Sequence, residues 1–202
     1  MSYNTNTMVR LLGKVSLYSI SEEIVFTADN CTVGFLYPSK AGVFKSCIST
    51  YSSLNGYLYF EVEIINVTNC RIGIVNNFYN KYAPVGYDNN GYSFGNDGYI
   101  FNNGKRYNYR NFYKAKDIIG VFVRINGGKI DIKENIVCET KVKSLRKGSF
   151  VKFFKNNEDL GIAFNNLEGE FFTPIISMTL GTEVRFNFGP FFAYPENIEE
   201  NL

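Results

Sequence analysis

Apolar and polar positions alternate with a period of two along much of the chain. Between Tyr57 and Ile64, the residues Leu58, Phe60, Val62 and Ile64 fall on one side, and Tyr59, Glu61 and Glu63 on the other. That is the pattern of a strand with one buried face. Val184, Phe186 and Phe188 alternate with Glu183, Arg185 and Asn187 in the same way. Ile118 to Ile125 is almost continuously apolar, which predicts a central strand covered on both faces. No stretch holds a helical period over enough length for a long helix.

The turns agree with the strands. Asn55-Gly56, Asn90-Gly91, Asp97-Gly98, Asn103-Gly104 and Asn126-Gly127 each supply residues that tolerate positive φ, as tight hairpins require. Asn156-Asn157, between 150–155 and 158–164, predicts a further hairpin. Many short strands punctuated in this way predict an all-β fold, an antiparallel β-sandwich, in a single domain over residues 1–202 with a core from about 15 to 195. One segment differs. Residues 129–148 carry Lys129, Lys133, Lys141, Lys143, Arg146 and Lys147 against Asp131, Glu134 and Glu139, and read as a short edge strand followed by a basic loop on a solvated surface.

Composition narrows the function. The 202 residues are 45% hydrophobic and 20% charged, enough apolar material for a sizeable core. Aromatics reach 17%, with 19 Phe, 15 Tyr and no Trp, which suits pleated sheet surfaces. The net charge of +2 argues against binding nucleic acid by bulk electrostatics. With no histidine, the Ser-His-Asp triad, the Cys-His pair and the histidine zinc sites are excluded. Cys31, Cys47, Cys70 and Cys138 lack C-x-x-C spacing and read as reduced thiols. Residues 1–12 are polar, then only weakly apolar, and too short for a signal peptide, and no apolar run reaches the roughly 20 residues of a membrane span. The expectation is an intracellular protein in a reducing compartment, and the glycosylation patterns at Asn30 and Asn66 read as chance.

No catalytic motif survives. Gly98 to Arg106 has a superficial P-loop look, but five residues separate its glycines and Arg106 stands where Ser or Thr would hold magnesium. Carboxylate pairs are the other enzymatic option. Glu61 and Glu63 share a strand face, read as the solvent side of a sheet, and Asp88 and Asp97 lie in one loop-rich stretch. The expectation is no enzyme, no cofactor, no metal and no small-molecule substrate.

Eight segments then fall in a familiar order: GYLYFEVEI (56–64), RIGIV (71–75), APVGYDNNGYSF (83–94), FNNGKRY (101–107), DIIGVFVRI (117–125), VKFFKNNEDLGIAF (151–164), FTPIISM (172–178) and VRFNFGPFFAYP (184–195). Together they resemble the SPRY domain. The resemblance implies a bent sandwich of two antiparallel sheets that binds partner peptides through inter-strand loops. Within that family, APVGYDNNGYSF, the ending NFGPFFAYP and the insertion at 129–148 are most similar to the SPRY domain of the Ash-two (absent-small-homeotic) proteins. That likeness implies a non-catalytic, nuclear subunit of a COMPASS-type complex that methylates lysine four of histone H-three. Its SPRY domain would bind an acidic-plus-hydrophobic segment of the WD-repeat retinoblastoma-binding subunit and stimulate the SET-domain methyltransferase.

Carried over by position, Arg71 is the basic contact, Pro84 and Tyr87 are apolar contacts, and Phe44 stands where the family has a tyrosine. Two further basic positions of the family are Gly95 and Asp97 here, and Phe94 replaces the usual tryptophan. The acidic-segment site is therefore expected to be less positive, with Lys81, Lys105 or Arg106 to compensate. The acidic tail at 196–202 is too short for the docking helix by which the family holds a dumpy-thirty dimer. A secondary expectation is weak contact of Lys141, Lys143, Arg146 and Lys147 with nucleosomal DNA. The alternative is a cytoplasmic SPRY adaptor, such as a ubiquitin-ligase substrate receptor or a Ran-binding-type scaffold. No membrane association is expected in either case.

Overall fold

The computed structural model describes residues 17–19, 23–27, 31–35, 42–127, 129–136 and 139–202, and for 18–19, 129–136 and 139–143 the backbone alone. The expectations for residues 1–12 and for Cys138 lie outside the described residues. Two antiparallel sheets account for nearly all of the structure. The first runs, in spatial order, β1 (Leu17–Ser19), β4 (Lys45–Ser49), β14 (Thr173–Met178), β6 (Cys70–Val75), β7 (Gly91–Gly95), β8 (Tyr99–Asn102) and β9 (Lys105–Asn108). The second runs β11 (Lys129–Ile136), β12 (Glu139–Lys155), β10 (Ile118–Ile125), β5 (Gly56–Asn66), β15 (Glu183–Asn187), β3 (Thr32–Phe35) and β2 (Ile24–Phe26), with β13 (Glu158–Glu168) added on β12. A four-residue helix, α1 (Glu196–Glu199), follows the last strand.

Alternation in the sequence decides which faces meet. From the second sheet, Phe60, Val62 and Ile64 of β5 and Val121 and Val123 of β10 turn inward and are fully buried. From the first, Ile72 and Ile74 of β6 and Phe94 of β7 meet them. Phe94 fills its place with rings on three sides: Phe153 at 5.4 Å between centroids, Tyr109 at 5.4 Å and Tyr113 at 5.1 Å. Each such side chain removed from water stabilises the fold by about 1.5–3 kcal/mol. β10 lies between β5 and β12, and six of its eight residues are buried, the central strand that its apolar run predicts.

The turns divide into two kinds. Asn103 and Gly104 both take positive φ (54° and 67°) between Asn102 and Lys105, which is the two-residue hairpin turn that the pair predicts. Asp97-Gly98 joins β7 to β8, and Asn156 at φ 55° joins β12 to β13. Asn126-Gly127, in contrast, links β10 to β11, strands that do not pair with each other because β12 lies between them. The expected basic loop of the insertion is also corrected. Residues Lys129 to Ile136 and Glu139 to Arg146 pair in continuous antiparallel register, so the segment is a hairpin that extends the second sheet.

Glu61 departs further from its sequence reading. It sits on the outer face of β5, yet it is only 2% exposed, because the chain after β15 folds back over it. Its carboxylate accepts hydrogen bonds from the main-chain N–H of Ala193 (2.8 Å) and Tyr194 (2.9 Å) and from Asn187 Nδ2 (3.0 Å). The Tyr59 hydroxyl adds a fourth at 3.2 Å. Asn197 Nδ2 donates to that same hydroxyl at 3.2 Å, which holds α1 on the sheet. Glu63, by contrast, remains at the surface and pairs with Arg185 at 2.8 Å. Truncating Glu61 leaves several buried donors without an acceptor, and Glu61→Ala is expected to cost about 2–3 kcal/mol. Urea denaturation measures that loss, and hydrogen exchange in the variant is expected to rise at Ala193 and Tyr194 more than in the strands of the second sheet.

Candidate peptide-binding face

The first sheet has an outer face as well as a core face. On β6, Ile72 and Ile74 turn to the core, so Arg71, Gly73 and Val75 face outward. Register carries that face across the sheet. Arg71 is opposite Ser177 on β14 and Gly95 on β7, Gly73 is opposite Ser93, and Ser93 is opposite Phe101 on β8. Phe101 in turn is opposite Arg106 on β9.

The segment 76–90 between β6 and β7 arches over this face. Its neck is closed by Asn76, whose N–H donates to Asn90 O at 2.9 Å. Its middle is gathered by Asp88, whose carboxylate accepts from the N–H of Asn80 at 2.8 Å and of Asn90 at 2.9 Å. Asp88, one half of the carboxylate pair considered in the sequence, is thus occupied in shaping the loop. Val85 plugs the arch into the sheet, where it forms a small apolar cluster with Ile48, Val75 and Ile175. Its N–H donates to Ser177 Oγ at 2.8 Å, and its carbonyl accepts from Ser93 Oγ at 3.0 Å. Gly86 follows at φ 86°, and a Cβ there would stand 2.6 Å from that of Phe101. Only glycine lets the loop lie this close.

Arg71 is held inside this frame. Its guanidinium lies 3.7 Å over the ring of Phe101 and 5.2 Å from the ring of Phe44, and Nη1 donates to the Val85 carbonyl at 3.4 Å. Rings on two sides attract the cation through their quadrupoles and fix the long side chain in one place. Partial burial lowers the affinity of the group for its proton from the ordinary value, and the charge of Asp97 acts in the opposite direction. Among the described residues Arg71 has no ion pair. A carboxylate would match the remaining guanidinium donors in a two-pronged contact. Pro84 is half-buried beside Val85, and Tyr87 is 60% exposed on the far side of Gly86.

The SPRY domain family matches residues 57–143. Solved structures agree over more of the chain. A human SPRY domain superposes with a TM-score of 0.59 at 17% identity, covering 85% of this chain and 98% of that one. The SPRY domain of human HERC1 gives 0.61 at 10% identity, covering 84% and 94%. The chain is a SPRY-domain protein. Among curated proteins, this SPRY chain is 30% identical over 179 residues to the Set1/Ash2 histone methyltransferase complex subunit ASH2 of Drosophila melanogaster, matching 76% of the chain and 32% of that protein. It is 29% identical over 147 residues to the ATP-dependent RNA helicase DDX1 of Xenopus laevis, matching 71% of the chain and 16% of that protein. The chain therefore spans less than a third of the length of either curated relative.

The SPRY fold brings Phe44, Arg71 and the loop bearing Pro84 and Tyr87 to one face. Sequence reasoning left Phe101 without a role, although it is the ring nearest the Arg71 guanidinium. The signal was there in principle, since the alternation of β8 puts Ile100 in the core and Phe101 on the other side. Its detection also needed the register of three strands. Gly95 gains a meaning too. It leaves open the space next to Arg71 that the Phe101 ring enters, and a Cβ at Gly95 would stand 2.5 Å from Asp97 Oδ1 and 2.7 Å from Phe101 Cε2.

The four basic residues of the insertion separate. Arg146 is 7% exposed and points inward, donating from Nε to Gly169 O at 3.2 Å and from Nη2 to Glu170 O at 2.6 Å. It ties the base of the hairpin to the turn after β13. Lys147 is exposed, and the side chains of Lys141 and Lys143 lie outside the described residues.

Gly95→Ala is expected to drive the Phe101 ring, and with it the exposed Asp97 carboxylate, out of place, at a cost of about 1–3 kcal/mol from overpacking. The double variant Gly95→Ala/Phe101→Leu is expected to recover part of that loss, because the two sites are in contact and their effects are not additive. Chemical denaturation of the single and double variants measures the coupling, and strictly additive losses would show that Phe101 is not the displaced group.

Proposed function

We propose that this SPRY domain is the peptide-binding part of a non-catalytic subunit in a histone methyltransferase complex of the COMPASS type, acting in the nucleus. One observation carries the reading: Arg71, which has no ion pair among the described residues, is held against two aromatic rings on a sheet face, under a loop that presents Pro84 and Tyr87. Its likeness to the ASH2 subunit of Drosophila melanogaster supplies the cellular setting. The partner segment is extended and carries an acidic side chain for Arg71 and an apolar one for the Pro84–Tyr87 edge. In such a complex the segment belongs to the WD-repeat retinoblastoma-binding subunit, and its capture stimulates the SET-domain enzyme.

The geometry explains how an interaction of modest size gains specificity. The Arg71 side chain is ordered before the partner arrives, so little rotamer entropy is lost on binding. Partial desolvation by the two rings strengthens its pairing with a carboxylate relative to a freely solvated arginine. Tyr87 adds a rigid aromatic surface of the kind that anchors interfaces.

Arg71→Ala is expected to remove most partner binding, about tenfold or more, while the urea midpoint falls far less than for a core substitution. Affinity purification of the tagged protein from its own cells, in wild-type and Arg71→Ala forms, tests this. Recovery of a SET-domain protein and WD-repeat subunits with the wild type alone supports the reading. Recovery of ubiquitin-ligase components in their place would favour the adaptor reading and overturn this one.

A further inference from the structure

We propose that Arg106 is a second cationic contact of this face, so that the face reads two carboxylates placed at alternate positions of an extended segment. The inference rests on the peptide-binding reading of Arg71 and extends it across the sheet.

Register supplies the argument. Phe101 is paired with Arg106, and Asn102 with Lys105. Paired residues share a face of the sheet, so Arg106 lies on the outer face with Arg71 and Phe101. Lys105 and Tyr107 belong to the opposite side, where Ile100 enters the core. Lys105 and Arg106 are both exposed and adjacent in sequence, yet only one of them is placed to meet a ligand held by Arg71.

The Arg106 side chain is also directed. Its guanidinium lies 4.8 Å over the ring of Tyr99, another outer-face residue of β8, and among the described residues it forms no ion pair. Arg71 reaches across β7 to the Phe101 ring, because Gly95 has no side chain in the way. The face thus carries two stacked guanidiniums, Arg71 on the ring of Phe101 and Arg106 on the ring of Tyr99. The rings that carry them, Phe101 and Tyr99, are alternate residues of β8, about 7 Å apart, which is also the spacing of alternate side chains in an extended peptide. Two carboxylates separated by one residue match that interval, and the residue between them points away from the sheet. Asp97 is exposed beside Arg71 and raises the affinity of its guanidinium for the proton. Its negative charge disfavours a third carboxylate at that end of the segment, so the partner carries a pair and not an acidic run.

Fluorescence anisotropy with two labelled eight-residue peptides tests the proposal. One carries two glutamates at alternate positions around a leucine, and the other has one of those glutamates replaced by glutamine. The wild-type protein is expected to prefer the first by about threefold to fivefold, the range of a partly exposed charge pair. Arg106→Gln is expected to abolish the preference without weakening the singly acidic peptide, and Lys105→Gln to leave the preference in place. A preference that survives Arg106→Gln, or disappears with Lys105→Gln, overturns the assignment of Arg106. If Arg71→Ala weakens both peptides in that case, the peptide-binding reading stands without this extension. If Arg71→Ala alters neither, both fall together.

Discussion

Ile72 and Ile74 of β6 are fully buried against the core that the two sheets share, and their burial sets the direction of every other residue on that strand. A slip of one residue would send Arg71 into the core and expose both isoleucines, at a cost of several kcal/mol from lost apolar burial alone. The candidate face therefore depends on the packing between the sheets. Phe94 and Phe153, in contact across that layer, hold β7 to the second sheet, and β7 in turn holds β6 and β8 at the separation that lets Arg71 reach Phe101. The geometry of the candidate face is set by packing on the opposite face of the sheet.

The strands were legible in the sequence where one face is buried and the other wet, as in β5 and β15, and where the run is buried on both sides, as in β10. The reading failed where a second layer covers the nominal solvent side. Glu61 has the strand position of a surface acid, but residues 187–194 return over it and make it a buried hydrogen-bond hub. Nothing in the local pattern around Glu61 records a contact made more than 120 positions later. In the insertion the first strand was legible from the alternation of Ile130 and Ile132, but its partner read as a basic loop, because residues 139–146 are mostly polar and charged and their pairing comes with the long strand β12.

The candidate site shows the same division. Arg71, Pro84, Tyr87 and Phe44 were named from the resemblance, and the fold brings Arg71 against Phe44 and under the Pro84 loop. Phe101 and Gly95 act by shape, one as a platform and the other as the space that admits it, and shape of this kind depends on cross-strand register. Arg146 shows the opposite case. In a run of basic residues it is indistinguishable from its neighbours, yet its guanidinium satisfies main-chain carbonyls at the foot of a hairpin, work for which its fixed fork of donors is suited and the single ammonium of lysine is not.

Tyr59 and Glu61 hold the end of the chain on the outer face of the second sheet, whereas Arg71 lies on the outer face of the first. The two surfaces are separated by the full thickness of the sandwich, two sheets about 10 Å apart with the side chains of both between them. A fluorophore or surface tether attached at Leu202 therefore stands on the side away from the candidate face. Immobilised in that way, the domain presents Arg71 to solution, and a signal at the label reports on a partner without obstructing it.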